Sequence, residues 1–435
     1  MIPQAMAAAT LLHEAQGLLG RLDRVRPFAL SVPMVSAAGA PQAHGAIEHY
    51  VAEGRRQLRG MIQAYIRWLG GPLGRLVPPA EMNRRFVFLR MRFNALLSDF
   101  DIFADVLTQR SEHGLGVLLA GLDAFAADAL AIPGAFYKSP PVICYLDRGP
   151  GAAIRRARTR LPGGRENPVA IIRVPRERMV GSGIASSLVH EVGHQAANML
   201  NLVASLKIIL KGLQRTGGTM RLAWTLWERW ISEIVADLWS VAMVGISSSL
   251  GLMGVVSLPR SFVFRVALND PHPVPWIRVK LSCAMGRALY PDPQWDSVAK
   301  VWEAFYPTTG LEAAGRRLLA ILESTIPSFV DILLNHRPKL LRGNSLKEAL
   351  PVNERQPAQL RRLWQVWRTE AAHMQRARPS LVFAVLGQAK VDGLLEADRE
   401  SRMVGEFLKH WALARGLWSL VPCDQKVRPG VSILY

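Results

Sequence analysis

Ser187-Leu188-Val189-His190-Glu191-Val192-Gly193-His194-Gln195 is the stretch from which the rest of the chain is read. Leu188, Val189, Val192 and Ala196 recur at helical spacing and predict a helix with one buried side. On that helix His190 and His194, four residues apart, lie one above the other on a single face. The face offers two imidazole nitrogens to one metal ion. Glu191, just after the first histidine, is badly placed to ligate the same ion but can reach a water bound to it. Gly193 leaves room for another backbone to come close. The competing reading is a surface helix that carries two His and one Glu by chance.

Tetrahedral zinc needs a third protein ligand and an open position. A second helix, expected from about Thr219, carries Ser232-Glu233-Ile234-Val235-Ala236-Asp237. Glu233 and Asp237 share a face. Glu233 is the candidate third ligand. Asp237 can accept a hydrogen bond from the far ring nitrogen of a ligand histidine, which fixes its tautomer and raises its basicity. Glu228 is the rival ligand, but no acid follows it four residues on. Trp224 and Trp227 read as core packing rather than a binding cage. Further on, His272 stands between Pro271 and Pro273. The prolines stiffen that loop, and a histidine held there can aim a donor at a developing oxyanion; a surface turn is the alternative. A helix from Ile277 follows, with Arg278 in its first turn. His336, in Asn335-His336-Arg337-Pro338, is a remote candidate for a fourth ligand.

Taken in order, His190-Glu191-x-x-His194, Glu233-x-x-Ala236-Asp237 and His272-Pro273 followed by Arg278 resemble a gluzincin-type zinc metallopeptidase. The pattern is similar to the family of the CAAX prenyl endopeptidase and its bacterial stress-protease relatives. The resemblance spans residues 140 to 290. It implies zinc ligands at His190, His194 and Glu233, and a general base at Glu191. It further implies an outer-sphere Asp237, a transition-state role for His272, and an organising role for Arg278.

The remaining sequence sets the frame. A chain of 435 residues, half of them hydrophobic, is expected to form two or three domains. The formal net charge is +19. This points either to an anionic partner, such as nucleic acid, an acidic membrane face or an acidic substrate, or to a solvated Arg-rich surface. The cysteines, Cys144, Cys283 and Cys423, are far apart and form no Cys-x-x-Cys pair. No second metal site or disulfide framework is expected, and a reducing compartment fits the sparse count. Residues 1–21 lack a basic start, so no secretory signal is expected. The longest uncharged stretch, 238–259, is long enough to span a bilayer. Its many Ser and Gly residues favour the end of a buried helix, a turn and a further helix. A cytoplasmic location is therefore the expectation.

Residues 1–135 read as all-helical, with helices over 46–69, 80–108 and 115–130. Asp99, Asp101 and Asp105 form an acidic knot that could hold a cation or, like most such groups, face water or an Arg. Pro141 to Leu146 and Pro168 to Val174 are short, apolar and β-branched, and predict two paired strands. The Arg-rich loop between them could grip an acidic partner, or could be a mobile hairpin connection. A free strand edge beside the metal could hold a peptide as an added strand. Ser182 is the expected N-cap of the metal-binding helix. Arg361, Arg362, Trp364, Trp367 and Arg368 suggest either a nucleic-acid or membrane contact, or an amphipathic helix packed on its neighbour.

The expected fold class is α+β and predominantly helical. A zincin-like catalytic domain with a small sheet, 136–345, lies between helical regions 1–135 and 346–435. The expected function is a zinc-dependent endopeptidase acting on a protein or peptide substrate. The alternatives are a catalytically silent scaffold with the same fold, and a basic, nucleic-acid-associated protein with a zinc site.

Overall fold

The structure, a computed structural model, describes residues 2–148, 151–176, 183–216, 218–267 and 270–420. It is predominantly helical with one small sheet. Helices of ten or more residues are numbered here. They are α1 (Ile2–Arg24), α2 (Pro41–Gly70), α3 (Pro79–Thr108) and α4 (His113–Leu130). Strands β1 (Val142–Asp147), β2 (Ala153–Arg155) and β3 (Ala170–Pro175) follow. Then come α5 (Gly183–Met199), α6 (Leu202–Thr216), α7 (Arg221–Val244), α8 (Ile246–Val256) and α9 (Pro275–Leu289). The last are α10 (Gln294–Phe305), α11 (Ala313–Asn335), α12 (Pro357–Trp367), α13 (Pro379–Val391) and α14 (Ala397–Leu420).

The chain divides into two compact units. One comprises residues up to Ala120, Arg155–Ile171 and the described residues from Leu413; the other comprises Gly121–Ile154 and Ile172–Ala412. In the first, α1, α2 and α3 bury Leu11, Leu18, Leu58, Ile62, Phe86, Leu89 and Phe93 in a shared core. Asp99 is buried on α3, where it accepts hydrogen bonds from Tyr50 Oη at 2.5 Å and from Gly163 N–H at 3.0 Å. Asp101 and Asp105 face water. The acidic knot is therefore one anchor and two solvated groups. The Arg-rich loop is an ordered hairpin: Arg160 and Glu166 pair across it, and Arg165 stacks over the Tyr50 ring at 4.0 Å.

The sheet has the order β1-β3-β2. The two expected strands are adjacent, and β2 adds a short edge strand that its Gly- and Arg-rich surroundings conceal. Asp123 of α4 accepts a hydrogen bond from Cys144 N–H at 2.6 Å, which ties β1 to that helix. The uncharged stretch 238–259 is the end of α7, a turn at Gly245 (φ 59°) and α8, as its composition suggests. Its serines are satisfied internally, Ser248 Oγ donating to Ser240 Oγ at 2.8 Å. Two described helices, α4 and α11, are long and apolar enough to cross a membrane, and the bent pair α5–α6 passes the same test as a broken span.

The C-terminal helices of the second unit are pinned by charge. Arg355 is buried and donates to Met243 O at 2.7 Å, at the C-terminal end of α7, where a cation meets the helix dipole. Asp128 accepts from Ser380 N–H at 2.8 Å, at the first turn of α13, and pairs with Arg378 at 2.9 Å. On α12, Trp364 and Trp367 are buried and Arg361 pairs with Asp292 and Asp392. That helix is amphipathic packing rather than an exposed aromatic-basic surface. Cys144 and Cys283 are buried free thiols, and Cys423 and the expected N-cap Ser182 lie outside the described residues.

A close helix crossing lies beside the two histidines, at Gly193. A Cβ at Gly193 would meet Ala236 Cα at 2.8 Å and Ala236 O at 2.9 Å. Any side chain there must push α5 off α7. Gly193→Ala is expected to lower stability by about 1–3 kcal/mol, read from the urea unfolding midpoint. Gly60→Ala, in the exposed interior of α2 with nothing within 4 Å, is expected to raise it by about 0.5–1 kcal/mol.

Candidate metal centre

The α5 sequence alternates small and apolar residues that bury Ile184, Leu188, Val189, Val192 and Ala196, so its remaining face carries His190 and His194. Their rings stand edge to face with centroids 4.8 Å apart. Glu233 reaches both from α7: its carboxylate oxygens lie 3.2 Å from His190 Nε2 and 3.4 Å from His194 Nε2. Candidate ligand atoms of these three residues all fall within 4.8 Å of one another. Donors about 2.0–2.2 Å from a tetrahedral ion stand about 3.3–3.5 Å apart. The two His–Glu distances, one to each Glu233 oxygen, are close to that spacing, and the three side chains form a cluster that could hold a small divalent cation.

The surroundings hold the donors in place. Asp237, buried one turn beyond Glu233, takes His190 Nδ1 at 2.8 Å. Because a carboxylate only accepts, Nδ1 carries the hydrogen and Nε2 is the atom turned to the metal position. Arg278, from the first turn of α9, donates Nε to Asp237 Oδ2 at 2.7 Å and Nη2 to Oδ1 at 2.9 Å. This bidentate pairing fixes the carboxylate plane as well as its charge. Arg278 Nη2 also stands 3.5 Å from Glu233 Oε2. His272 is 53% exposed on the loop before α9, yet its Nε2 lies 3.5 Å from Glu233 Oε2. Its Nδ1 is 2.7 Å from Asp270 Oδ1.

Charge and burial set the protonation of these groups. Burial pushes the His190 imidazole down, but the Asp237 and Glu233 carboxylates outweigh it and lift the ring to about 9. Burial pushes Glu233 up, yet the two histidines and Arg278 bring it to about 2. Burial likewise opposes ionisation of Asp237, and Arg278 and His190 hold it well below the usual carboxylate range. Glu191 is the exception. It is buried, and its carboxyl is raised by that burial, with His190 opposing and Glu233 adding to the rise. Among these carboxyls it is the one whose surroundings favour the protonated form, while Glu233 and Asp237 are held ionised.

The structure thus brings together every residue singled out around the histidines: His190, Glu191, His194, Glu233, Asp237, His272 and Arg278. The rivals fall elsewhere. Glu228 pairs with Lys207 at 3.4 Å, and His336 Nε2 meets Ser205 Oγ at 2.7 Å. Two neighbours were not anticipated. Ser232 Oγ lies 3.4 Å from His194 Nδ1, and Asp270 takes both the ring and the backbone N–H of His272. A signal for the second exists in Asp270-Pro271-His272, since an Asp often bonds the backbone two residues on. Ser232 has none beyond its place before Glu233. No family model matches the chain, and neither a curated protein nor a solved structure matches it.

The shifts give opposite pH dependences with and without metal. A ring raised from 6.5 to about 9 contributes stability below pH 6.5 that is lost as pH climbs through 9. A carboxylate lowered from 4.5 to about 2 contributes stability above pH 4.5 that is lost as pH falls through 2. In a chelator, the stability difference between the wild type and His190→Asn should therefore shrink between pH 6.5 and 9. With metal supplied the trend should reverse, because ligation requires the neutral ring and strengthens as pH rises. Unfolding midpoints across this range, with and without metal, test both signs.

Proposed function

We propose that the chain is a zinc-dependent endopeptidase of gluzincin type, with a zincin-like arrangement of β3, α5 and α7 around the site. The observation that carries the reading is the combination of a His190–His194–Glu233 cluster with a buried carboxyl at Glu191, next to the first histidine, whose ionisation burial opposes. A structural metal site is usually closed by four ligands and rich in Cys. Here the set has three donors and no Cys, which favours catalysis over a structural role.

His190, His194 and Glu233 would hold the ion. Bound zinc would supply a Lewis acid that acidifies a water and polarises a carbonyl. Glu191 takes the proton of the attacking water and passes it to the leaving amine; its raised carboxyl suits both transfers. Asp237 keeps His190 in the ligating tautomer, and Arg278 neutralises Asp237 and orients it. His272, held by Asp270 at Nδ1 and with Nε2 beside Glu233, stands where its Nε2 would be offered to an oxyanion at the site. An extended peptide can add to a sheet edge, where β2 is half-exposed at Ala153 and Ile154. The +19 formal charge favours an acidic substrate over a basic one.

The deciding experiment pairs elemental analysis with turnover. Wild type and Glu191→Gln should each retain one zinc per chain, whereas Glu233→Gln should lose it. Against unfolded casein and a peptide library, Glu191→Gln should fall by about 10²–10⁴-fold in kcat/KM. Asp237→Asn should keep the fold but bind zinc about 10–100-fold more weakly. Zinc absent from the wild type would sink the metal assignment. Zinc present with no cleavage by the wild type would leave a scaffold.

A further inference from the structure

Helix α6 presents two contrasting faces. Leu202, Leu206 and Leu210 are buried, and through them the helix packs on α7. Opposite them Ile208 is 74% exposed, Ile209 on the flank is 38% exposed, and Leu222 at the start of α7 is 48% exposed. Lys207, Lys211 and Arg215 lie along the same helix, and Arg221 adjoins Leu222. Between Glu191 and Glu228 the sequence holds these four cations and no carboxylate side chain. Lys207 is paired with Glu228, but among the described residues Lys211, Arg215 and Arg221 are exposed and form no ion pair. The longest uncharged stretch, 238–259, has no such character, since most of α8 is turned inward.

We propose that the outer face of α6, together with Leu222, docks on an anionic lipid surface. Ile208, Ile209 and Leu222 enter the boundary between headgroups and acyl chains, and Lys211, Arg215 and Arg221 neutralise acidic headgroups. Charge complementarity selects this occupant. Nucleic acid would use the cations and leave the isoleucines in water, and a neutral apolar partner would leave the cations unmatched. A bilayer with acidic headgroups uses both. The docking does not depend on the metal chemistry, and it would restrict an enzyme built on α5 and α7 to substrates at the membrane surface.

The test is co-sedimentation of the full chain with vesicles of phosphatidylcholine alone and of phosphatidylcholine with about 30% phosphatidylglycerol. Binding to the acidic vesicles should be at least about tenfold tighter and should weaken with salt. Ile208→Ser with Ile209→Ser should cost about tenfold at every salt concentration. Lys211→Gln with Arg215→Gln should abolish the preference for acidic lipid. All four side chains are exposed, and unchanged unfolding midpoints would show that the fold is kept. Glu191→Gln should bind as the wild type does, so loss of peptidase activity leaves this result intact. Absent binding, indifference to the lipid charge, or indifference to all four substitutions overturns the proposal. So does resistance to both salt and alkaline extraction, which would mark an integral protein. Full competition by duplex DNA that survives the isoleucine changes would assign the face to nucleic acid instead.

Discussion

The Asp237 carboxylate is shared between two cationic partners, and three helices meet through it. One oxygen accepts from Arg278 Nε; the other accepts from Arg278 Nη2 and from His190 Nδ1. The group is buried, so its charge is tolerated only while both partners stay in place. Removing one would leave an uncompensated charge inside the unit, typically costing about 3–5 kcal/mol. That cost keeps α5, α7 and α9 in register, and with them the histidine that faces the metal position. Glu233 lies one turn away on the same face, within 3.5 Å of Arg278 and His272. Two ionised carboxylates against one guanidinium leave an excess of negative charge, which a divalent cation can balance.

Without a metal, a proton does part of that work. His190 is lifted to about 9 by the two carboxylates, one at each ring nitrogen. A metal ion bound here would therefore compete with the proton at Nε2 and leave the Nδ1 hydrogen with Asp237. Glu191 is spared from this competition because it is buried beside the donors rather than among them. Its raised carboxyl and the depressed pair Glu233 and Asp237 are three acids of one site driven in opposite directions by their surroundings.

Much of this was legible in the sequence because it rests on helical period. His190 with His194, and Glu233 with Asp237, are each four residues apart, so geometry puts them on common faces. Gly193 could be read as a close approach for the same reason. Period alone did not separate Glu233 from Glu228; the acid four residues on did, and the Lys207 pairing agrees. What sequence did not reveal are contacts made across long separations by single side chains. Asp99 holding the 163 turn, Arg355 at the end of α7 and Ser232 beside His194 follow from tertiary packing, which leaves no local pattern. Strand β2 was missed because three residues between glycines and arginines carry no alternation. The Arg-rich hairpin reads equally as a mobile or a functional loop from sequence, since nothing local shows that Arg165 finds Tyr50.

The bare backbone at Gly193 has a mechanical side. At Gly193 the α5 backbone lies directly against that of α7 at Ala236, with Trp239 Cβ beside it, and the contact sits between the two candidate ligand histidines. It acts as a fulcrum: tilting α5 about that point moves His190 and His194 in opposite senses relative to Glu233. A distant perturbation that rocks either helix would thus detune ion affinity without altering a single donor. Conversely, an ion held by His190, His194 and Glu233 would tie the two helices together and stiffen the pair.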